Sequence, residues 1–327
     1  MVMRACVVIP TKDGGALFEK VLKETLSQVT GFPFEVLVVD SGSCDQTIAV
    51  VKNSRARLLS VKPEDFQHGA TRNFAVSQTN AEFIAFLTHD ARPANKFWLR
   101  NLVLKMEMCS DIAGAFGRHR AYPECDPFTA DELERLFDHF RSLAPVQKNE
   151  DPARYATDAG YRQLLHFFSN NNSCLRRKVW EDIPFPEVNF AEDQAWAQKI
   201  IEAGYSKVYA DDAVVYHSHS FNTLETFKRA FDESRAMKEL FDYRLVPSRS
   251  SILRNSLHQL RMDRRLIVSR KLLKTSPVCV LKRPIRVLAK QLGSFAGQRA
   301  NSLTGVQHLL SLDQSKKRGR NHKVTTE

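Results

Sequence analysis

Nowhere in its 327 residues does the chain hold an apolar run of the roughly 20 residues needed to cross a bilayer, so no membrane span is expected. The N-terminus offers one Arg before a short apolar run that stops at Pro10, without the length or the cleavage site of a secretory leader. Cysteine is sparse and scattered: Cys6, Cys44, Cys109, Cys125, Cys174 and Cys279 form no CxxC pair and no zinc-finger spacing. Cys6 lies within Ala5-Cys6-Val7-Val8-Ile9, where a reduced thiol acts as a small hydrophobe. The expectation is a reducing compartment and a cytoplasmic protein, soluble or peripheral on the inner face of the plasma membrane. There is no internal repeat and no low-complexity core.

Acid is scarce in one region only. Residues 221–327 carry 8 Asp+Glu against 23 Lys+Arg, a net +15, whereas residues 1–220 carry 29 against 25, a net −4. The overall +11 therefore belongs to the C-terminal third, and any polyanion would be met there. With 43% hydrophobic and 26% charged residues, the composition is that of a globular protein large enough for one α/β domain and an appendage.

Cys6–Pro10 is a continuous apolar run stopped by Pro and followed by Thr11-Lys12-Asp13-Gly14-Gly15, which predicts a buried strand entering a polar loop. The spacing of Leu17, Val21, Leu22 and Leu26 predicts a helix over 16–28. Phe34–Val39 reads as a second strand ending in Asp40-Ser41-Gly42-Ser43, with a helix starting near Asp45. Leu58–Val61 is a third strand, 70–79 a helix, and Phe83–Leu87 a fourth strand ending in Thr88-His89-Asp90. This alternation predicts an α/β fold with a Rossmann-like, mostly parallel sheet flanked by helices. Ligands of such sheets collect at the carboxyl ends of the strands, where Thr11, Asp13, Asp40, Ser41, His89 and Asp90 all stand.

Residues 118–165 read as a polar insertion over the sheet's working edge, with a helix at 130–143. Ser169–Ser173 reads as a polar loop, 192–203 as a helix ended by Gly204, and Lys207–Ala210 and Ala213–His217 as two short strands. Basic amphipathic helices are expected at 223–242, 250–275 and 283–298. The domain expectation is a body over 1–220, a basic helical extension over 221–312 and a disordered tail over 313–327.

Several polar groups could carry chemistry. A carboxylate at Asp40 can accept the imide N–H of a pyrimidine, although alone it reads better as a turn residue. Asp90 offers a hard oxygen to a divalent cation, and a departing pyrophosphate needs such a cation or an Arg beside it. His68, Gly69, Arg72 and Asn73 stand in a turn entering a helix, where backbone N–H groups and a guanidinium suit an anion or sugar hydroxyls; a plainly capped helix is the alternative. Glu192-Asp193 opens another helix, either as a stabilising acidic first turn or as the source of a general base. His217 and His219 alternate along an extended segment and could share a metal or simply be solvated.

In this order the motifs resemble glycosyltransferase family 2, with its GT-A fold. Val8-Ile9-Pro10-Thr11, Val38-Val39-Asp40-Ser41-Gly42-Ser43, Thr88-His89-Asp90, Glu192-Asp193 and His217 carry the resemblance, which covers about residues 4–220. Phe66-x-His68-Gly69-x-Thr71-Arg72-Asn73 is similar to the branch that uses dTDP-L-rhamnose for O-antigen and related bacterial polysaccharides. Phe86–Ala91 and Val215-Tyr216-His217-Ser218-His219 support that narrower likeness. The resemblance implies that Thr11 and Asp40 bind base and ribose, and that Arg72 helps place the pyrimidine or diphosphate. It further implies that Asp90 holds Mg²⁺ or Mn²⁺ with His217 or His219. Asp193 would be the base of a single inverting displacement onto a hydroxyl of a glycan or lipid-linked acceptor. One departure stands out: the family's Asp-x-Asp is here His89-Asp90-Ala91, with a single carboxylate.

Three other readings compete. A family 2 enzyme could use a UDP-hexose donor, and a non-catalytic sugar-nucleotide binder would leave the Asp193 carboxylate without a task. A nucleic-acid-binding protein would account for the basic tail, but no aromatic–basic interleaving accompanies it, and no nucleic-acid partner is expected. The basic helices suit either an anionic membrane surface or a helical cap on the body.

Overall fold

The computed structural model describes residues 3–300 and 310–312; the disorder expected over 313–327 lies outside the described residues. Two compact units are present: Met1–Glu124 with Glu132–Ser218, and Cys125–Asp131 with His219–Glu327.

In the first unit β1 (Ala5–Thr11), β2 (Phe34–Asp40), β3 (Arg57–Ser60) and β4 (Phe83–Leu87) run parallel. They are linked by α1 (Gly15–Leu26), α2 (Thr47–Lys52) and α3 (His68–Ser77). Alternate side chains of a strand face opposite ways, so a strand covered on both faces must be apolar throughout. Val7 and Ile9 pack with Val36, Val38 and Phe83 over Phe18, Val21 and Leu22 of α1. Cys6 and Val8 pack on the other face with Leu37, Val39, Ile84 and Phe86, beside Ala75 and Val76 of α3.

The chain continues through β5 (Arg92–Pro93), α4 (Trp98–Met106), β6 (Ile112–Arg120), α5 (Pro127–Ser142) and β7 (Val146–Gln147). Then come α6 (Pro152–Thr157), α7 (Ala159–His166), β8 (Asn172–Arg176), α8 (Arg177–Asp182), α9 (Glu192–Glu202) and β9 (Ser206–Tyr216). The sheet order is β3-β2-β1-β4-β8-β6-β9-β5, with β7 also on β9. β8 is antiparallel to β4 and β6, whereas β6 and β9 are parallel, so the sheet is mixed but mostly parallel.

Three local expectations change. Part of the Ser169–Ser173 segment is not loop: Asn172 and Ser173 begin β8, a central strand, and both are fully buried. Residues 118–120, assigned to the insertion, finish β6. The two short strands at 207–217 are one strand, β9, whose pairing with β6 shifts register between Gly117 and His119. Asn172 explains why this bulge is tolerated. Its Nδ2 donates to Arg118 O at 3.1 Å and Ala213 O at 2.8 Å, and its Oδ1 accepts Trp98 Nε1 at 2.7 Å. Bulges re-aim the strand that follows, here toward His217.

The second unit is helical: α10 (Thr223–Phe241), α11 (Arg249–Ser269), α12 (Leu272–Thr275) and α13 (Pro277–Gly297). Asn222 and Glu225 form a reciprocal capping box that starts α10. The helix expected over 250–275 breaks at Lys271, which takes a left-handed φ of 52°. The helix expected from 283 begins at Pro277 and runs through Pro284. Gly293 and Gly297 lie against the α10 backbone, where a Cβ would come within 2.2 Å of Phe227 O and 2.1 Å of Phe231 O. Among the described residues no helix is long and apolar enough to cross a membrane.

Candidate active site

Register pairs Thr11 with Asp40, placing the first two strand ends side by side. The buried Asp40 accepts the N–H groups of Gly42 and Ser43 on Oδ2 at 2.9 and 3.0 Å, and the Ser43 hydroxyl on Oδ1. Ser41 donates its N–H and hydroxyl to Thr11 O at 3.0 and 3.2 Å. Asp13, at φ 48°, accepts Cys44 N–H on Oδ1 at 2.8 Å and donates its own N–H to Ser43 Oγ at 2.8 Å. Asp40 thus shapes the turn it closes, while the buried Thr11 Oγ1 has no hydrogen-bond partner among the described residues.

The 68–73 motif works inward. Gly69 approaches the 186 segment so closely that a Cβ would lie 2.0 Å from Pro186 O. Asn73 clamps the same segment: Nδ2 donates to Phe185 O at 2.9 Å, and Oδ1 accepts Phe185 N–H at 3.0 Å and Trp180 Nε1 at 2.8 Å. Arg72 is 3% exposed; its Nη1 meets Glu192 Oε1 at 3.0 Å and donates to His68 O at 3.1 Å. His68 remains exposed at the N-terminus of α3, its ring edge-on to Phe66 at 5.1 Å. The motif therefore fastens α3 to the chain leading into α9.

The adjacent carboxylates of α9 stand in unlike surroundings. Burial opposes charge on Glu192, yet Arg72, His68 and Asn170 outweigh it and hold this carboxyl below its ordinary value. Asp193 accepts Asn170 N–H on Oδ2 at 3.0 Å and Gln194 N–H on Oδ1 at 2.8 Å. Burial, together with the charge of Glu192 beside it, raises its pKa to about 7. A carboxylate poised there can take a proton from a hydroxyl near neutral pH.

At the ends of β4 and β9, Asp90 Oδ1 lies 3.6 Å from His217 Nε2. His217 N–H donates to Arg120 O at 2.9 Å, and Tyr122 Oη donates to Asp90 O at 3.0 Å. His119 sits beside them, 5% exposed, its ring edge-on to His217 at 5.4 Å; its Nε2 has no hydrogen-bond partner among the described residues. Burial, then the neighbouring His217, keeps His119 well below its ordinary pKa and so neutral. A carboxylate and an imidazole, with a neutral ring behind them, are a donor set that suits a divalent cation. His89 is half-buried on the same strand exit, and His219 opens the second unit, its ring stacked on Phe221 at 5.5 Å.

Reading the sequence missed four contributors. Asn170 holds both carboxylates, its N–H on Asp193 and its Nδ2 on Glu192 Oε1 at 3.1 Å. Lys207, fully buried, donates from Nζ to Leu164 O at 3.0 Å and Phe167 O at 2.6 Å, tying off the end of α7 just ahead of Asn170. Asn172 and His119 complete the group. The run Ser169-Asn170-Asn171-Asn172-Ser173 was visible, but polarity alone reads as loop.

Comparison with known proteins follows the same lines. The profile of Glycosyl transferase family 2 matches residues 6–183. O-antigen chain rhamnosyltransferase RfbN of Salmonella typhimurium is 35% identical over 236 residues, 70% of this chain and 71% of that protein. O-antigen chain rhamnosyltransferase WbaN of Salmonella anatum is 29% identical over 229 residues, 69% and 70% of the two chains. Mannosyltransferase PcManGT of Pyrobaculum calidifontis, solved with GDP-Man and Mn²⁺, superposes with a TM-score of 0.57 at 17% identity, covering 91% of this chain and 86% of that one. The last likeness concerns the fold, which is GT-A as expected.

Proposed function

The chain belongs to glycosyl transferase family 2, and from that premise we propose that it transfers L-rhamnose from dTDP-L-rhamnose to a hydroxyl of a glycan or lipid-linked acceptor in bacterial O-antigen synthesis. The 35% identity to an O-antigen chain rhamnosyltransferase supports the sugar and the pathway class. The observation that carries the chemistry is Asp193, held by two backbone N–H groups with a raised proton affinity.

In this reading the acceptor hydroxyl gives its proton to Asp193 as its oxygen bonds to the anomeric carbon. The bond from that carbon to the diphosphate oxygen breaks with inversion, and dTDP leaves carrying the electron pair. Thr11 and Asp40 would meet the nucleoside, with Asp13 and Ser41 fixing the loops around them. Because Arg72 is engaged by Glu192, its contribution is to hold α3 and α9 together around the donor. Asp90 and His217, with His219 as a further ligand, would hold Mg²⁺ or Mn²⁺; when bound, the cation supplies positive charge to the departing diphosphate. A cytoplasmic location, with a lipid-linked acceptor met at the membrane, completes the proposal.

The test is release of dTDP from dTDP-L-rhamnose by purified protein, with an isolated O-antigen glycolipid as acceptor. Turnover that depends on acceptor, and that stops in EDTA and returns with Mn²⁺, is the expected result. Faster turnover with UDP-glucose on the same acceptor would replace the donor, and full activity after chelation would remove the cation from the proposal.

A further inference from the structure

We propose that the outer face of α11 and α13 is a docking surface for a bilayer containing anionic phospholipid. This deepens the partner side of the function proposed above, although the surface is argued from the second unit alone.

Helix α13 has a buried face and, opposite it, an exposed apolar one. Arg283, Val287, Ser294 and the two glycines form its buried face. Val278, Leu281, Ile285, Leu288 and Leu292 are 58, 76, 63, 46 and 41% exposed. Spaced by three and four residues, at about 100° per residue, these five make one stripe opposite the buried face. On α11, Ser256, Asp263 and Leu266 are buried, whereas Leu253, Leu257 and Val268 point away from them and are exposed. Arg254, Arg261, Arg264 and Arg265 are exposed between those three.

The charge of this region is one-sided. Residues 249–300 hold thirteen Lys+Arg and a single acid, Asp263. That acid is buried against Arg283, with Nε at 2.7 Å from Oδ2 and Nη2 at 3.1 Å from Oδ1. No carboxylate of this segment therefore reaches its surface. An exposed aliphatic stripe is costly in water unless something covers it. The stripe runs for about 20 Å, its exposed side chains are aliphatic, and its flanks are basic, which is the pattern of a helix lying in the headgroup layer with its cations at the phosphates. A nucleic acid would match the charge but leave the leucines unused.

Full-length protein should co-sediment with vesicles containing phosphatidylglycerol and about tenfold less with phosphatidylcholine alone. Leu281→Ser with Ile285→Ser, and separately Arg261→Glu with Arg264→Glu and Arg265→Glu, should each weaken vesicle binding about tenfold or more. Both variants should keep the wild-type melting curve and transfer to a soluble acceptor. Wild-type protein that ignores these vesicles, or variants that bind them undiminished, overturns the proposal. So does a wild-type dimer that the serine variant converts to monomer without vesicle binding, which would make the stripe a contact between copies. Absence of transfer alone counts against the enzymatic reading, since sedimentation does not depend on turnover.

Discussion

Each of the two units buries an arginine–carboxylate pair: Arg72 with Glu192 in the first, Arg283 with Asp263 in the second. The pairs are alike in burial and in length, yet their surroundings differ. Beside Glu192 stands a second carboxylate, Asp193, whose proton affinity rises partly because Glu192 stays charged. Beside Asp263 stands an amide in place of a second carboxylate, Gln259, whose Nε2 donates to it at 2.9 Å. In the first unit the ion pair keeps a charge next to the proposed base. In the second it joins α11 to α13 and withdraws the one acid from a basic face. A buried salt bridge therefore says little about purpose until its neighbours are named.

The sharpest division between the units should come from Asp193→Asn. Removing the proton acceptor while keeping the side chain's shape should cost about 10²–10⁴-fold in kcat. Nucleotide-sugar affinity by calorimetry should change little, and vesicle binding not at all. Turnover close to wild type would remove Asp193 as the base.

Next in size are the two pairs. Arg72→Met and Arg283→Met each leave a buried carboxylate without its partner, at a cost of about 3–5 kcal/mol in unfolding free energy. Denaturant titration should find both losses. Only Arg72→Met should also impair transfer per folded molecule, because its partner Glu192 sets the charge beside the proposed base Asp193. Equal impairment by Arg283→Met would erase the contrast.

The pH profile comes third. Asp193 must be ionised to accept a proton, so transfer should be level above its pKa of about 7 and fall as pH drops below it, roughly tenfold per unit. Glu192→Gln removes one of the two causes of the raised pKa, so this limb should move to lower pH. A limb that stays in place would mean burial alone sets it.

The smallest effect is Ile285→Ser, at an exposed position of α13: unfolding free energy should stay within about 0.5 kcal/mol of wild type. A larger loss in denaturant titration would show that the stripe is already covered.

Much of the fold was legible. The runs at Cys6–Pro10, Phe34–Val39 and Phe83–Leu87 read as strands and lie within β1, β2 and β4, and the small polar residues at their ends gather at one edge of a parallel sheet. β6 and β8 were not legible, because glycine, histidine, asparagine and serine lack an apolar pattern. Asn172 is in a strand because four distant groups, Trp98, Arg118, Ala213 and the β4 backbone, satisfy it there.

The sequence by itself determined the order of the first four strands and the helices between them, the mildly acidic body and the basic C-terminal third, and which residues could accept a proton or hold a cation. These follow from local periodicity and side-chain chemistry. Only the tertiary structure decided what each candidate faces. Arg72 turned out to be spoken for by Glu192, and Asp193 gained its proton affinity from burial and from the charge of Glu192 beside it. His119 came to lie beside His217 through a register shift in β6. Such outcomes depend on burial and on partners far away in the chain, and neither can be read from spacing.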